Sequence, residues 1–300
     1  MSVLVVGSIA LDDIKTVRES HTNLLGGSAS YGALAASFFG PVRLVGVVGS
    51  DFPTTHRELF AENGIDLEGL EVADGNTFRW SGEYEANMNN RKTLSVELNV
   101  FEHFEPKLPE DWKQTEYVML GNIAPSLQAM VLEQLDSPKF VVADTMDLWI
   151  EMARTDLLAL LQKIDMLILN DSEATMLTRE SNLITAGRAI QGMGPKYVAV
   201  KKGEHGSMLF GPSGAYFTTG AYPLEAVHDP TGAGDSFAGA FLGSLAAGGD
   251  LSFEAMKNSV VYGTLVASFC CEQFSLKRLD SMTRTELDAR FEAFKSYAFF

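Results

Sequence analysis

Cysteine and basic residues are both scarce in this chain. Only Cys270 and Cys271 are cysteines, and they are adjacent within an apolar stretch. Two neighbouring cysteines do not form a disulfide framework, so we expect reduced thiols in the core of a cytoplasmic protein. The 23 lysines and arginines face 39 acidic residues, which gives a net charge of -16. A field of that sign repels polyanions, so nucleic acid and anionic membranes are not expected as partners.

Long apolar runs, a leader segment and clustered histidines are also missing. No run reaches the roughly 18 apolar residues that a membrane-spanning helix needs. The opening segment MSVLVVGSIALDD carries no basic leader, and its apolar run is shorter than the core of a signal peptide. The five histidines are scattered. We therefore expect an intracellular protein without a zinc site.

Two common nucleotide-binding motifs are absent as well. No Gly-x-Gly-x-x-Gly follows the first apolar run, and no Walker lysine motif occurs anywhere in the chain. These absences argue against a dinucleotide-binding enzyme and exclude a P-loop kinase. The sequence also shows no linker, repeat or low-complexity segment. With 46% hydrophobic content, residues 1–300 are expected to form one α/β domain.

Short apolar runs alternate with helical windows along most of the chain. The runs lie at 3–6, 44–48, 117–120, 140–143, 166–169 and 197–200, and helical windows lie at 126–135, 155–163 and 183–191. Such alternation predicts a mostly parallel sheet with helices on both faces.

Residues 77–100 have a different pattern, in which apolar and polar residues alternate on both sides of the turn EANMNN. Period-two alternation around a turn predicts an antiparallel hairpin with one solvated face. A small sheet projecting from an α/β core has the form of an active-site lid. A surface hairpin without function is the alternative.

The most informative stretch is 227–248, which reads VHDPTGAGDSFAGAFLGSLAAG. Phe237, Phe241, Leu242 and Leu245 lie on one helical stripe. Gly239 and Gly243 lie four residues apart and would let a neighbouring element approach closely.

A helix N-terminus behind Gly232, Ala233 and Gly234 offers free N–H groups and the positive end of the helix dipole to an anion. The pattern therefore predicts a phosphate site.

Asp235 at the mouth of this site would repel a resting phosphate unless it had a separate task. Accepting the proton of an attacking hydroxyl is a task that fits, because phosphoryl transfer otherwise needs positioning and charge neutralisation. The alternative is a Gly-rich turn in which Asp235 only caps the helix.

Residues 229–235 resemble the C-terminal signature of the ribokinase-like (PfkB) carbohydrate and nucleoside kinases, through the pattern Asp229-x-Thr231-Gly232-Ala233-Gly234-Asp235. The resemblance implies a three-layer ribokinase-like α/β sandwich with a small antiparallel β lid, formed here by roughly 12–30 and 77–100. Members often dimerise through this lid. The donor and metal implied are ATP and Mg²⁺. Asp229 and Thr231 further resemble residues that bind an activating monovalent cation such as K⁺ in some members.

The resemblance also assigns acceptor-binding residues. Asp12, after the first strand, is expected to bind substrate hydroxyls, since a carboxylate can accept two hydrogen bonds from a diol. Gly26 and Gly27 match the N-terminal Gly-Gly motif, whose backbone holds the substrate with the following polar side chain. Ser28 stands where ribokinase has lysine, and Tyr31 where asparagine is common. Tyr31 could stack on a base or fill the core.

Further positions match the family's nucleotide and metal motifs. Asn170 and Glu173 match the Asn-x-x-Glu motif that holds hydrated Mg²⁺, although the same spacing also forms a helix capping box. Lys202 and Gly203 match a turn that contacts the nucleotide, although solvated lysines in a hairpin would look the same. Thr231 and Asn258 are the remaining nucleotide candidates.

Together these observations predict an ATP-dependent kinase that phosphorylates an alcohol of a nucleoside, sugar or polyol, with a slight preference for a nucleoside. A non-catalytic sensor that kept the fold is the first alternative, and a hydrolase that uses the same phosphate site is the second.

Overall fold

The apolar runs become the strands of one large sheet in the computed structural model, which describes residues 1–298. The strands are β1 (Val3–Val6), β2 (Ala10–Lys15), β3 (Ser20–Gly26), β4 (Val42–Gly49), β5 (Ile65–Asp66), β6 (Leu70–Ala73), β7 (Phe78–Tyr84), β8 (Arg91–Glu97), β9 (Tyr117–Leu120), β10 (Phe140–Asp144), β11 (Met166–Asn170), β12 (Tyr197–Lys201), β13 (Ser207–Phe210) and β14 (Tyr216–Thr219). The helices are α1 (Ser28–Ser37), α2 (Thr54–Glu62), α3 (Pro125–Gln134), α4 (Asp147–Met152), α5 (Arg154–Leu161), α6 (Asp171–Thr178), α7 (Leu183–Gln191), α8 (Ala233–Gly248), α9 (Phe253–Cys270), α10 (Lys277–Ser281) and α11 (Arg284–Ala298).

The large sheet has the strand order β14-β13-β12-β11-β10-β9-β1-β4-β5, and β6 also pairs with β4. Strands β12 through β5 run parallel, whereas β13 and β14 are antiparallel additions at one edge. The parallel strands therefore end at a common edge, where α/β proteins bind their ligands.

Alternate residues of the central strands enter two separate cores. Val3 and Val5 of β1 pack with α1, α8 and α9 on one face of the sheet. Leu4 and Val6 pack with α3, α5 and α7 on the other face. Successive strand side chains point to opposite faces, so solidly apolar strands require helices on both sides. The three-layer sandwich is confirmed.

Close packing of α1 against α8 depends on the glycines of the predicted stripe. A Cβ atom at Gly239 would lie 2.1 Å from the carbonyl oxygen of Gly32, and one at Gly243 would lie 2.9 Å from that of Ala36. The apolar stripe of Phe237, Phe241, Leu242 and Leu245 is buried, as predicted. Cys270 is also buried, and both cysteines are free thiols.

A second, four-stranded sheet has the order β3-β2-β7-β8. Its outer pairs are antiparallel, and its central pair, β2 and β7, is parallel. The strands begin at Ala10 and Phe78, and residues 28–30 belong to α1 instead.

The hairpin differs from its prediction in two respects. Strand β8 ends at Glu97, and Val100 lies in a 3-10 turn, Asn99–His103. All seven residues of β8 are exposed, so this edge strand is solvated on both faces rather than one. Within residues 1–298, no helix combines the length and the apolar content needed to cross a bilayer.

Candidate active site

The predicted phosphate loop lies where α8 begins, above the carboxyl edge of the parallel strands. Gly232 forms the N-cap of α8 with φ 76°, a left-handed conformation that favours glycine. A Cβ atom at this position would lie 2.2 Å from Cγ of Tyr31, so the aromatic ring packs against the loop. Gly232 is therefore fixed by both its conformation and its neighbour.

The amide groups of the loop are not all available to a ligand. The N–H of Ala233 donates to the carbonyl of Pro230 at 3.2 Å. Within residues 1–298, the N–H groups of Gly232 and Gly234 donate to no backbone carbonyl. Fewer amides are therefore open to an anion than predicted, because the N–H of Ala233 closes the turn instead.

Asp235 lies in the first turn of α8 and is half-buried. Burial raises the pKa of its carboxyl to about 7, with the charge of Asp144 acting in the same direction and Lys201 opposing it. A base whose pKa lies near neutrality suits proton transfer at physiological pH.

Lys201 is a site residue that the sequence analysis did not single out. A Cβ atom at Gly234 would lie 2.8 Å from its Nζ atom, so the ammonium group adjoins the phosphate loop. Nζ also lies 3.5 Å from Oδ2 of Asp144, at the end of β10. A signal was present, because Lys201 shares its strand face with Ala199, which packs on the α8 side.

Asp12 lies on β2 in the small sheet and is almost fully buried. Its carboxylate packs directly over Gly26, where any side chain would overlap it. Its Oδ1 atom has no hydrogen-bond partner among the described residues. Burial, together with Asp229, Asp13 and Asp235, raises the pKa of Asp12 well above its ordinary value.

Two of the predicted acceptor residues are used for structure. Ser28 Oγ contacts the N–H and the hydroxyl of Ser8, both at 3.2 Å, and Ser28 is buried. Tyr31 is in the core beneath Gly232, so it does not offer its ring to a base. The reason is that α1 starts immediately after Gly27 and is buried between the sheet and α8. For Tyr31 this is the core position that the sequence left open as the alternative, and contact of either side chain with an acceptor stays a prediction.

Asn170 and Glu173 form the capping box. Glu173 N–H donates to Oδ1 of Asn170 at 2.8 Å, and Asn170 N–H donates to Oε2 of Glu173 at 2.8 Å. Burial, together with Asp144, raises the pKa of Glu173 to about 7. The box leaves Oε1 of Glu173 outside it.

The carboxylates of Glu173 and Asp144 are the acidic groups near the predicted Mg²⁺ site. Within residues 1–298, no group of three or more His, Cys, Asp or Glu side chains is arranged to hold a metal. Mg²⁺ keeps most of its waters and needs few protein oxygens, and a cation would relieve the repulsion between Asp144 and Glu173. The residues therefore fit a sparse, water-mediated site.

Asp229 is fully buried in the loop that precedes α8. Its oxygens accept hydrogen bonds from the N–H of Thr231 at 2.9 Å and the N–H of Ser275 at 3.1 Å. Asp229 thus ties the loop to the chain that follows α9. Its role toward a monovalent cation stays a prediction.

The predicted nucleotide residues are more dispersed. Gly203 lies in a 3-10 turn closed by Lys202 N–H donating to Gly206 at 2.8 Å. Asn258 is exposed on α9. The neighbouring Ser259 contacts Ser244 of α8, nine residues beyond Asp235, which places Asn258 about 14 Å along the helix from the phosphate loop.

The small sheet contributes two side chains that the sequence analysis missed. Tyr84 accepts a hydrogen bond from the hydroxyl of Thr231 at 3.0 Å. Arg91, opposite Tyr84 in the ladder, lies close enough to lower the pKa of both Asp235 and Glu173. Nothing in the alternating pattern identified which face of the hairpin would cover the site.

The chain is similar in sequence to two kinases. The chain is 27% identical over 253 residues to the cytidine kinase of Thermococcus kodakarensis, covering 83% of this chain and 90% of that one. It is 29% identical over 281 residues to the nucleoside kinase of Methanothermobacter thermautotrophicus, covering 92% of this chain and 85% of the relative.

Solved structures share the fold. The Burkholderia thailandensis nucleoside kinase in complex with inosine superposes with a TM-score of 0.81 at 20% identity, covering 98% of this chain and 99% of that one. A second structure of that enzyme is a complex with ADP-inosine. The model of the pfkB family of carbohydrate kinases matches residues 2–280, and this chain belongs to that family.

Proposed function

We propose that the protein transfers the γ-phosphoryl group of ATP to a hydroxyl of a nucleoside, with Asp235 as the base. The observation that carries this proposal is the position of Asp235, in the first turn of α8 directly behind the open amides of Gly232 and Gly234. A carboxyl whose pKa is about 7 is ionised often enough at neutral pH to accept a proton.

In the proposed step, the acceptor oxygen forms a bond to the γ-phosphorus while the bond from that phosphorus to the bridging oxygen of ADP breaks. The hydroxyl proton passes to Asp235, and ADP leaves with the electron pair of the broken bond. The amides of Gly232 and Gly234 stabilise negative charge on the phosphoryl oxygens.

Asp12 is the proposed anchor for the acceptor. Its buried, unpartnered Oδ1 atom would be satisfied by a hydroxyl donor, and a ribose diol offers two. A half-buried indole, Trp80, stands directly opposite Asp12 in the ladder, on the same face of the small sheet. A diol anchor beside an aromatic surface favours a nucleoside over a simple sugar. The relatives that act on nucleosides point the same way.

Mg²⁺ is proposed to be held through Asn170 and Glu173, mostly by water. When bound, it supplies charge neutralisation to the triphosphate. Asp229 and Thr231 are proposed for a monovalent cation, and Lys202, Gly203, Thr231 and Asn258 for the nucleotide.

The test is ADP release by the purified protein with ATP and Mg²⁺, with and without K⁺, against nucleosides, pentoses, hexose phosphates and inositols. Mass spectrometry of the acceptor accompanies each assay. We expect a phosphorylated nucleoside in amounts equal to ADP. ADP without a phosphorylated acceptor would indicate a hydrolase, and nucleotide binding without ADP release would indicate a sensor.

We also propose that two copies associate through the small sheet, which acts as a lid. Three aliphatic side chains at its edge are exposed. Leu94 and Val96 on β8 are 50% and 52% exposed, and Leu98, which follows the strand, is 44% exposed. Unpaired strand edges with exposed aliphatic side chains are prone to association. Light scattering should give twice the mass of the chain, and Val96→Lys should give the monomer mass.

A further inference from the structure

We propose that Lys201 is a catalytic residue whose ammonium group contacts the phosphoryl group in transit, and that Asp144 is the positioning residue that holds it there. This inference rests on the proposed function. It assigns to Lys201 a role separate from that of the loop amides and of Asp235.

The placement of Lys201 carries the inference. Its Nζ atom lies beside Gly234, whose N–H donates to no backbone carbonyl among residues 1–298. The side chain of Lys201 is only 17% exposed, so water screens its charge little. A cation in a desolvated site beside free N–H groups binds an anion strongly.

Asp144 explains why the lysine stays in this position. Its Oδ2 atom lies 3.5 Å from Nζ, and its Oδ1 atom accepts the N–H of Thr145 at 2.9 Å, which orients the carboxylate. Burial disfavours the charged ammonium, but Asp144, Glu173 and Asp235 outweigh it and raise the pKa of Lys201. Lys201 therefore carries its positive charge at neutral pH.

The same strand supplies a matched control. Lys196 stands one residue before β12, at the opposite end from Lys201, and its Nζ atom lies 3.8 Å from Asp165. Lys196 is 72% exposed, and it is remote from the carboxyl edge of the sheet. Both lysines thus have an acidic partner: Asp144 lies two strands away from Lys201, and Asp165 lies just before the strand next to Lys196. Only Lys201 adjoins Gly234.

The experiment compares Lys201→Met and Lys196→Met in turnover and in nucleotide binding. We expect Lys201→Met to lower kcat about 100-fold while the KM for the acceptor changes little. By calorimetry, it should weaken binding of adenylyl imidodiphosphate about tenfold more than binding of ADP, because only the former carries a γ-phosphoryl group. Lys201→Arg should recover part of both losses, and Lys196→Met should behave as wild type.

Two more variants keep the test decisive if Lys201→Met folds poorly. Gly234→Ala leaves both charges in place, and its methyl group meets only the flexible end of Lys201, so it should displace the ammonium and lower kcat. Asp144→Asn should lower kcat by less than Lys201→Met. It should also shift the acidic limb of the pH profile downward, whereas Lys201→Met shifts it upward.

The two proposals fail in different ways. If the wild-type protein phosphorylates no acceptor but Lys201→Met selectively loses the triphosphate analogue, the proposed function is wrong, and only the contact between Lys201 and the γ-phosphoryl group is retained. If the wild type turns over and Lys201→Met retains kcat and the ratio of the two nucleotide affinities, the assignment is wrong. Equal losses in Lys201→Met and Lys196→Met would also overturn it.

Discussion

The hydroxyl of Thr231 donates a hydrogen bond to the phenolic oxygen of Tyr84 across 3.0 Å. Thr231 belongs to the loop before α8, and Tyr84 ends strand β7 of the small sheet. Burial raises the pKa of Tyr84, so its hydroxyl stays protonated. This bond connects the element that we propose to close over the acceptor with the loop that we propose to bind phosphate.

Tyr84→Phe should therefore loosen the small sheet. Loss of one hydrogen bond is worth about 1 kcal/mol, which corresponds to roughly a fivefold rise in the KM for the acceptor. Steady-state kinetics measures this change, with kcat expected to change less. Tyr216→Phe, an exposed tyrosine on β14, is the matched control. An unchanged KM in Tyr84→Phe would show that the bond does not contribute to acceptor binding.

Asp235→Asn tests the proposed base. We expect kcat to fall about 1000-fold, within the range for losing a general base, while calorimetry shows ADP binding retained or tightened. Asp136→Asn, at an exposed position, should leave both unchanged. Normal turnover in Asp235→Asn would mean that another group takes the proton.

Thermal unfolding separates loss of the base from loss of the fold in that variant. Because the folded-state pKa of Asp235 is raised, its carboxylate costs stability once the pH rises from about 4 toward 7 and beyond. Asp235→Asn should therefore unfold at a higher temperature than wild type at pH 8 and show a smaller gain at pH 5. Lower stability at both values would point to a structural role.

The pH dependence of kcat/KM should show an acidic limb near pH 7. Asp235 must be ionised to accept a proton, and its pKa is about 7. Asp144 raises this pKa, whereas Lys201 and Arg91 lower it. Activity should be low at pH 6, rise through pH 7 and level off above pH 8. A profile that is flat from pH 5 to pH 8 would contradict the assignment.

Glu173→Gln distinguishes the capping box from the proposed metal site. Glutamine can still accept the N–H of Asn170, and it removes a carboxylate whose pKa is raised to about 7, so the melting temperature should not fall. The Mg²⁺ concentration for half-maximal activity should rise about tenfold or more, because the carboxylate charge is lost. Glu180→Gln, exposed just beyond α6, is the control. A lower melting temperature with an unchanged Mg²⁺ requirement would leave the cap as the whole role of Glu173.

Gly239→Ala should destabilise the protein. Its new methyl group would lie 2.1 Å from the backbone of Gly32, and overpacking of this kind costs about 1–3 kcal/mol in the free energy of unfolding. Gly248→Ala adds the same group to the same helix, where nothing lies within 4 Å, and should be neutral or slightly stabilising. Urea unfolding of both variants makes the comparison, and equal stabilities would contradict close packing of α1 and α8.

Local patterns in the sequence were sufficient for several features. The apolar runs at 3–6 and 166–169 became central strands because only residues that are apolar in succession can be buried on both faces. Gly239 and Gly243 are four residues apart, and that spacing by itself indicated that a neighbouring element approaches closely. The capping box of Asn170 and Glu173 is likewise a purely local interaction.

Other features depend on residues that are distant in the chain. Ser28 and Tyr31 are residue types that often bind ligands. In the fold, Ser28 hydrogen-bonds with Ser8, and the ring of Tyr31 packs against Gly232. The available amides of the phosphate loop depend on one carbonyl, that of Pro230. Arg91 approaches Asp235 only because the hairpin folds back over the sheet edge.

By itself, the sequence determined the sandwich of helices around a parallel sheet and the glycine-capped helix start with Asp235 in its first turn, because each is encoded in the spacing of neighbouring residues. Only the tertiary structure brought Lys201 and Asp144 together beside Gly234. These two residues end different strands and are 57 positions apart in the chain. It also made Asp12 a buried, unpartnered carboxylate. Charge coupling and burial depend on distance in space, which no local pattern contains.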